Sequence, residues 1–300
     1  MRSSDREEPD GEGGGAVRRV ALTRPGAKLR RPRRNATARA RPRPAPRFAF
    51  AGDRDIAVRV LEYLLSQGHR PLALLLPPAG EDSHGHALRA LCPFLDESHV
   101  LRGSAFREPE GLSLLEGLSL HYVVGVHFPA MVPPEVLALP REGVLNLHPA
   151  FLPWNRGWHT PSWAILDGTP AGATLHFMDA GVDSGEVVHQ RRLEVTPADT
   201  AHTLYARMKA LELEVFREAW PALAAGRAHR RPQRGGGSLH RRAELLAPEV
   251  QRLELDRPTT ARELLRHLRA LTTNRWDEAA YFERGGRRYR VQVTVREDEG

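Results

Sequence analysis

The spacing of apolar positions changes character along the chain. Order begins near residue 47 with "RFAFAGDRDIAVRVLEYLLSQGHRPLALLLPP". Phe48 to Ala51 predicts a short buried strand, and Gly52 and Asp53 predict a turn. Ile56, Val60, Leu61, Leu64 and Leu65 then recur on one helical stripe that Gly68 ends. Leu72 to Leu76 predicts a second apolar strand, and strand–helix–strand at this spacing is a right-handed βαβ unit. The alternation continues: "HALRALCPFL" and "SLLEGL" suit helices, "HYVVGV" a buried strand, "PPEVLAL" a helix opened by proline, and "GVLNLHP" another strand. The expected class is α/β, a Rossmann-like open and mostly parallel sheet, whose site lies beyond the C-terminal ends of the strands.

From residue 171 the pattern shifts. "GATLHFMDAGVDSGEVVHQRRLEV" predicts two extended segments around a Gly- and Asp-rich turn. Asp199 or Thr200 caps a helix with Leu204, Met208, Leu211 and Val215 on one stripe. Near residue 226 the composition loosens to "GRAHRRPQRGGGS", a linker or long loop. Beyond it, Thr260 and Glu263 form a capping box, and "YFERGGRRYRVQVTV" reads as a hairpin turning on Gly285-Gly286. The expected organisation is a tail over 1–46, a catalytic unit over 47–226 and a small C-terminal α+β appendage over 227–300. No internal repeat is visible.

Composition alters this picture in two places. The net charge of +7 suggests a nucleic-acid binder, but residues 1–46 hold thirteen basic groups against five acids, leaving −1 for the rest. That Arg/Pro-rich tail has almost no large apolar residues and is expected to be disordered. As a basic arm it supports an alternative of another class, a nucleic-acid-binding protein. The single cysteine, Cys92, excludes an internal disulfide framework and a cysteine-based zinc site. No run of eighteen apolar residues and no secretory pattern is present, so the expectation is a cytoplasmic protein without membrane contact.

The candidate chemistry sits in "GVLNLHPAFLPWNRGWHT" (143–160). On a strand, residues two apart share a face, so Asn146 and His148 project together while Leu145 and Leu147 face the core. A carboxamide is a fixed donor for an oxygen that gains charge, and an imidazole donates to the same oxygen or takes a proton. That pairing fits attack on a carbonyl and needs no metal. A carboxylate should orient the imidazole; Asp183 is the candidate, with Asp179 its rival. Two other readings stand beside this one. Buried Asn and His near a strand end often only satisfy backbone groups. A metal site from His148, His159, His176 and Asp183 is the other. A nicotinamide site is disfavoured because "AGDRDIA" holds one glycine.

"NLHPAFLPWNRG" followed by "DGTPAGATLHFMDAGVDSGEVV" resembles the formyltransferases that use 10-formyltetrahydrofolate. The shared features are Asn-x-His, a Leu-Pro-x-x-Arg-Gly loop and a distal Asp-Gly-rich turn, within a likeness spanning about residues 47–220. The resemblance implies a catalytic trio of Asn146, His148 and Asp183, with 10-formyltetrahydrofolate as co-substrate. It also implies a pterin slot lined mainly by backbone from 125–137 and 179–185, including Phe128, Met131, Val132, Gly181 and Val182. The acceptor it implies is a small-molecule amine on a nucleotide-linked sugar, with methionyl-tRNA as the alternative. The near-neutral body, the short C-terminal piece and the Arg-aromatic hairpin, similar to that of the sugar enzymes, favour the sugar. Trp154 and Trp158 are candidates to stack on a base or cover the sugar, and Arg156 to pair with a diphosphate or to hold the loop. Trp163 has ordinary packing as a second reading. A homodimer through the hairpin is expected.

Overall fold

The structure, a computed structural model, describes residues 45–298. The expectation of a disordered basic tail over 1–46 therefore lies, up to residue 44, outside the described residues. In chain order the elements are β1 (Phe48–Gly52), α1 (Arg54–Ser66), β2 (Ala73–Leu76), α2 (Gly85–Leu91), β3 (Val100–Arg102), α3 (Pro109–Gly117), β4 (Tyr122–Val126), α4 (Pro134–Leu137), β5 (Gly143–His148) and β6 (Arg156–Gly157). Then come α5 (Thr160–Leu166), β7 (Ala171–Phe177), β8 (Val187–Leu193), α6 (Ala201–Ala224), β9 (Leu239–His240), α7 (Pro248–Gln251), α8 (Ala261–Ala270), β10 (Ala280–Arg284) and β11 (Arg287–Val291).

Seven strands form one sheet in the order β3-β2-β1-β4-β5-β7-β8. The first five run parallel, and β7 and β8 are antiparallel additions. The parallel β1–α1–β2 start and its continuation are as the apolar spacing predicts. The sequence reading did not find β3, a three-residue edge strand with only Leu101 buried, too short to carry a period.

Alternation along the central strands builds two apolar layers. Phe48, Phe50, Val124, Leu145 and Leu147 face α1 and α6, where they meet Ile56, Leu61, Phe216 and Trp220. Ala49, Ala51, Val123 and Val144 face the other side, with Leu115 of α3 and Phe106. Fully burying a large apolar side chain contributes roughly 1.5–3 kcal/mol, so the all-buried strands β1 and β4 anchor the sheet. Thr200, not Asp199, caps α6, in a capping box with Thr203; Asp199 instead accepts from the Thr196 N–H and hydroxyl. The Thr260–Glu263 box forms at α8. The β10–β11 hairpin turns on Gly285 and Gly286, both at positive φ.

The stretch after α6, expected as a linker or long loop, is part of the fold. Arg231 exchanges backbone hydrogen bonds with Val187, and β9 pairs in parallel with β6. All described residues belong to one compact unit. No described helix is long and apolar enough to cross a membrane.

Candidate active site

The site forms where β5 ends. Because Val144 packs on the α3 side, alternation puts Asn146 and His148 on that side too, and Leu145 and Leu147 on the α1/α6 side. The neighbouring strand β7 pairs antiparallel with β5, setting His176 opposite Asn146 and Thr174 opposite His148. The turn after β7 then returns Asp183 to both. Asn146 Nδ2 donates to Asp183 Oδ1 at 3.1 Å and lies 3.3 Å from His176 Nε2. His148 Nε2 is 3.5 Å from Asp183 Oδ2, and His176 Nε2 is 3.4 Å from Oδ1. Asp183, rather than Asp179, is the carboxylate that meets the imidazole. Asp179 Oδ1 is taken by the Gly181 N–H and the Ser184 hydroxyl.

Local backbone makes this reach possible. Asp183 has φ +48°, a left-handed conformation that Asp tolerates better than most residues. Gly185 lets the turn close, since a Cβ there would stand 1.9 Å from the Phe177 carbonyl oxygen. Asp183 Oδ2 also accepts the Gly157 N–H at 2.9 Å, which ties the turn to the Arg-Gly loop.

The imidazole has a defined tautomer. His148 Nε2 lies 3.3 Å from the Asn155 carbonyl and faces the carboxylate, both pure acceptors, so Nε2 carries the proton. Nδ1 keeps its lone pair, and no described residue bonds it. Burial pushes the His148 pKa below its ordinary value; Asp183 opposes that and His176 adds to it. The imidazole is therefore neutral near pH 7 and able to take a proton. Burial alone would raise the Asp183 pKa. The two histidines and the Gly157 N–H outweigh it and hold the carboxyl well below the usual carboxylate range.

Other residues singled out from sequence fall into three groups. Phe128 and Val132, after β4, pack half-buried against the α3-side layer that also holds Val144. Met131 and Val182 stay 77% and 47% exposed, and Gly181 is exposed at the tip of the turn. Arg156 is half-buried; its Nε has no partner among the described residues, and no described carboxylate pairs with its guanidinium. Trp154 is half-buried, whereas Trp158 is 44% exposed under the Arg242 guanidinium. Trp163 packs: it stacks on His240 with centroids 4.1 Å apart. His159 faces Glu278 and the Arg242 carbonyl rather than joining His148 and His176.

Sequence reasoning gave no structural role to Asn155, Gln233 or Ser238. Asn155 is buried at φ +56°; its amide bonds Thr169, and Ser238 Oγ bridges its N–H and side-chain oxygen. Gln233 donates to the carbonyls of Asp183 and Gly185. His176 entered the sequence reading only as a candidate metal ligand; the β5–β7 register instead sets it opposite Asn146.

The arrangement offers a neutral imidazole, a carboxamide and a buried carboxylate around one point. That set can accept a proton from an amine and carry the charge of a tetrahedral oxyanion. Residues 80–220 match the family model described as formyl transferase, and 247–297 the N-formyltransferase dimerization C-terminal domain. A methionyl-tRNA formyltransferase of Myxococcus xanthus is 31% identical over 252 residues, 82% of this chain and 78% of its own. A dTDP-4-amino-4,6-dideoxyglucose formyltransferase of Mycobacterium bovis is 30% identical over 151 residues, 50% of this chain and 64% of its own. A solved sugar N-formyltransferase from Shewanella sp. has the same fold, with TM-score 0.71 at 18% identity over 85% of this chain and 99% of that one. The Myxococcus relative shares 31% identity over most of both chains, and on that ground the chain belongs to the formyltransferase family.

Proposed function

We propose that this enzyme moves a formyl group from 10-formyltetrahydrofolate to the primary amine of a nucleotide-linked amino sugar. The observation that carries formyl transfer is the meeting of Asn146, His148 and Asp183 at the end of β5. The amine attacks the formyl carbon, a new C–N bond forms, and the carbonyl oxygen becomes an oxyanion. His148 Nδ1, directly or through water, takes the proton that the amine loses, and Asp183 steadies the resulting imidazolium. Asn146 Nδ2 donates to the oxyanion by giving up the N–H now directed at His176. The bond from the carbon to the folate nitrogen then breaks, and the proton passes to that nitrogen. Phe128, Met131, Val132, Gly181 and Val182 line the pterin side, and Arg156, Trp154 and Trp158 the acceptor side. The unpaired Arg156 guanidinium suits a diphosphate.

The C-terminal segment supports the amino sugar as acceptor. It matches a model of N-formyltransferases and is part of a fold shared along almost the whole length of a sugar enzyme. In this reading residues 47–226 are catalytic and 227–300 form a dimer contact. Two observations favour methionyl-tRNA instead: the extent of the Myxococcus likeness, and charge. Residues 227–300 hold seventeen Arg against eleven acids, a net +6, so the near-neutral body is the sum of opposite halves. A basic segment of this kind suits nucleic acid. The test supplies the full chain with 10-formyltetrahydrofolate and, separately, dTDP- and GDP-linked amino sugars and charged initiator tRNA. Transfer to a sugar is expected; transfer to tRNA with none to any sugar reverses the order.

A further inference from the structure

The segment after α6 crosses the back of the site and touches it at both catalytic poles. Ser238 Oγ holds Asn155, whose carbonyl receives His148 Nε2. At the other pole, Gln233 Nε2 donates at 2.8 Å to the carbonyl of Asp183 and at 2.9 Å to that of Gly185. These carbonyls flank a turn in which Asp183 holds a left-handed φ. Both amide hydrogens of Gln233 are used there, and its Oε1 is buried with no partner among the described residues. The amide orientation is fixed by this geometry, because the flipped form would set Oε1 against two carbonyls. A side chain that leaves its own acceptor unsatisfied while bridging two carbonyls of one turn acts on the conformation of that turn.

We propose that Gln233 is a positioning residue for formyl transfer. It clamps the 183–185 turn so that the Asp183 carboxylate stays on His148 and Asn146. The inference rests on the catalytic assignment of Asp183 made above. Gln233 hydrogen-bonds neither imidazole nor carboxylate, and the half-buried side chain lies between exposed Pro232 and Arg234 and belongs to no apolar cluster of the core.

The experiment measures formyl transfer by wild type, Gln233→Ala, Gln233→Glu, Asp183→Asn and the double variant Gln233→Ala/Asp183→Asn, with thermal melts of each. Gln233→Ala is expected to melt near wild type and to lose about 10- to 100-fold in kcat, as displaced catalytic groups do. Its acid limb should move to lower pH, because a receding Asp183 no longer raises the His148 pKa. Gln233→Glu, of the same shape but without donors, should do no better than Ala. In the Asp183→Asn background the alanine change should cost less than about twofold, since the residues act through one path. An unchanged rate and pH profile in Gln233→Ala, restored activity in Gln233→Glu, or fully additive losses in the double variant would overturn the clamp. Wild-type turnover by Asp183→Asn would instead overturn the assignment of Asp183, and the clamp with it.

Discussion

Asn155 and His148 meet through a main-chain carbonyl: His148 Nε2 lies 3.3 Å from the Asn155 oxygen, and Asn155 supplies it from a left-handed φ of +56°. That bond fixes which imidazole nitrogen keeps its lone pair. Asn155→Ala would leave the half-buried Thr169 hydroxyl without its partner, take from Ser238 Oγ one of its two bonds and strain the backbone. It should destabilise the protein by about 2–4 kcal/mol in urea melts. Asn155→Gly keeps the backbone conformation and should lose less.

The pH dependence of kcat/KM should have its acid limb below pH 6.5, the ordinary histidine value, because burial lowers the His148 pKa. The neutral base is lost as pH falls through that lowered value. In Asp183→Asn the limb should move lower still, with a large drop in rate, since the carboxylate opposes the shift. A limb that moves upward would contradict the assignment. The same signs govern stability. The depressed Asp183 pKa contributes stability above its ordinary value of 3.8 that is lost as pH falls below it.

Removal of the oxyanion donor should be separable from folding. Asn146 is half-buried, so Asn146→Ala should fold and lose roughly 10²–10³ in kcat. His148→Ala should lose at least about 10², the usual share of a positioned base. Near-normal turnover by either removes that residue from the mechanism.

Gly185→Ala should act through geometry alone. The added methyl meets the Phe177 carbonyl oxygen at 1.9 Å, so the turn must open and carry Asp183 away. Activity should fall on the order of 10²-fold, with a lower melting temperature, measured on one preparation.

The tryptophans should divide by role. Trp163→Ala removes a buried ring stacked on His240 and should cost about 3–5 kcal/mol of stability. Trp158 is exposed, and Trp158→Ala should leave stability within about 0.5 kcal/mol while raising the acceptor KM.

Sequence by itself determined the elements whose pattern is local. The stripe of α1, the all-apolar strands β1 and β4, the cap at Thr260 and the Gly-Gly hairpin are each readable, because period and turn chemistry act over a few residues. The facing of Asn146 and His148 is likewise local, being the alternation of one strand. Tertiary structure decided everything that depends on two distant segments meeting. The antiparallel register of β7 against β5 brings His176 to Asn146. The left-handed turn chooses Asp183 over Asp179. The Gly-rich stretch near residue 233, polar and without period, reads as a linker or long loop, yet its Gln233 and Ser238 bond the Asp183 turn and the Asn155 loop. Those contacts are hydrogen bonds from single side chains to backbone across dozens of residues, and such bonds leave no periodic trace in the sequence that makes them.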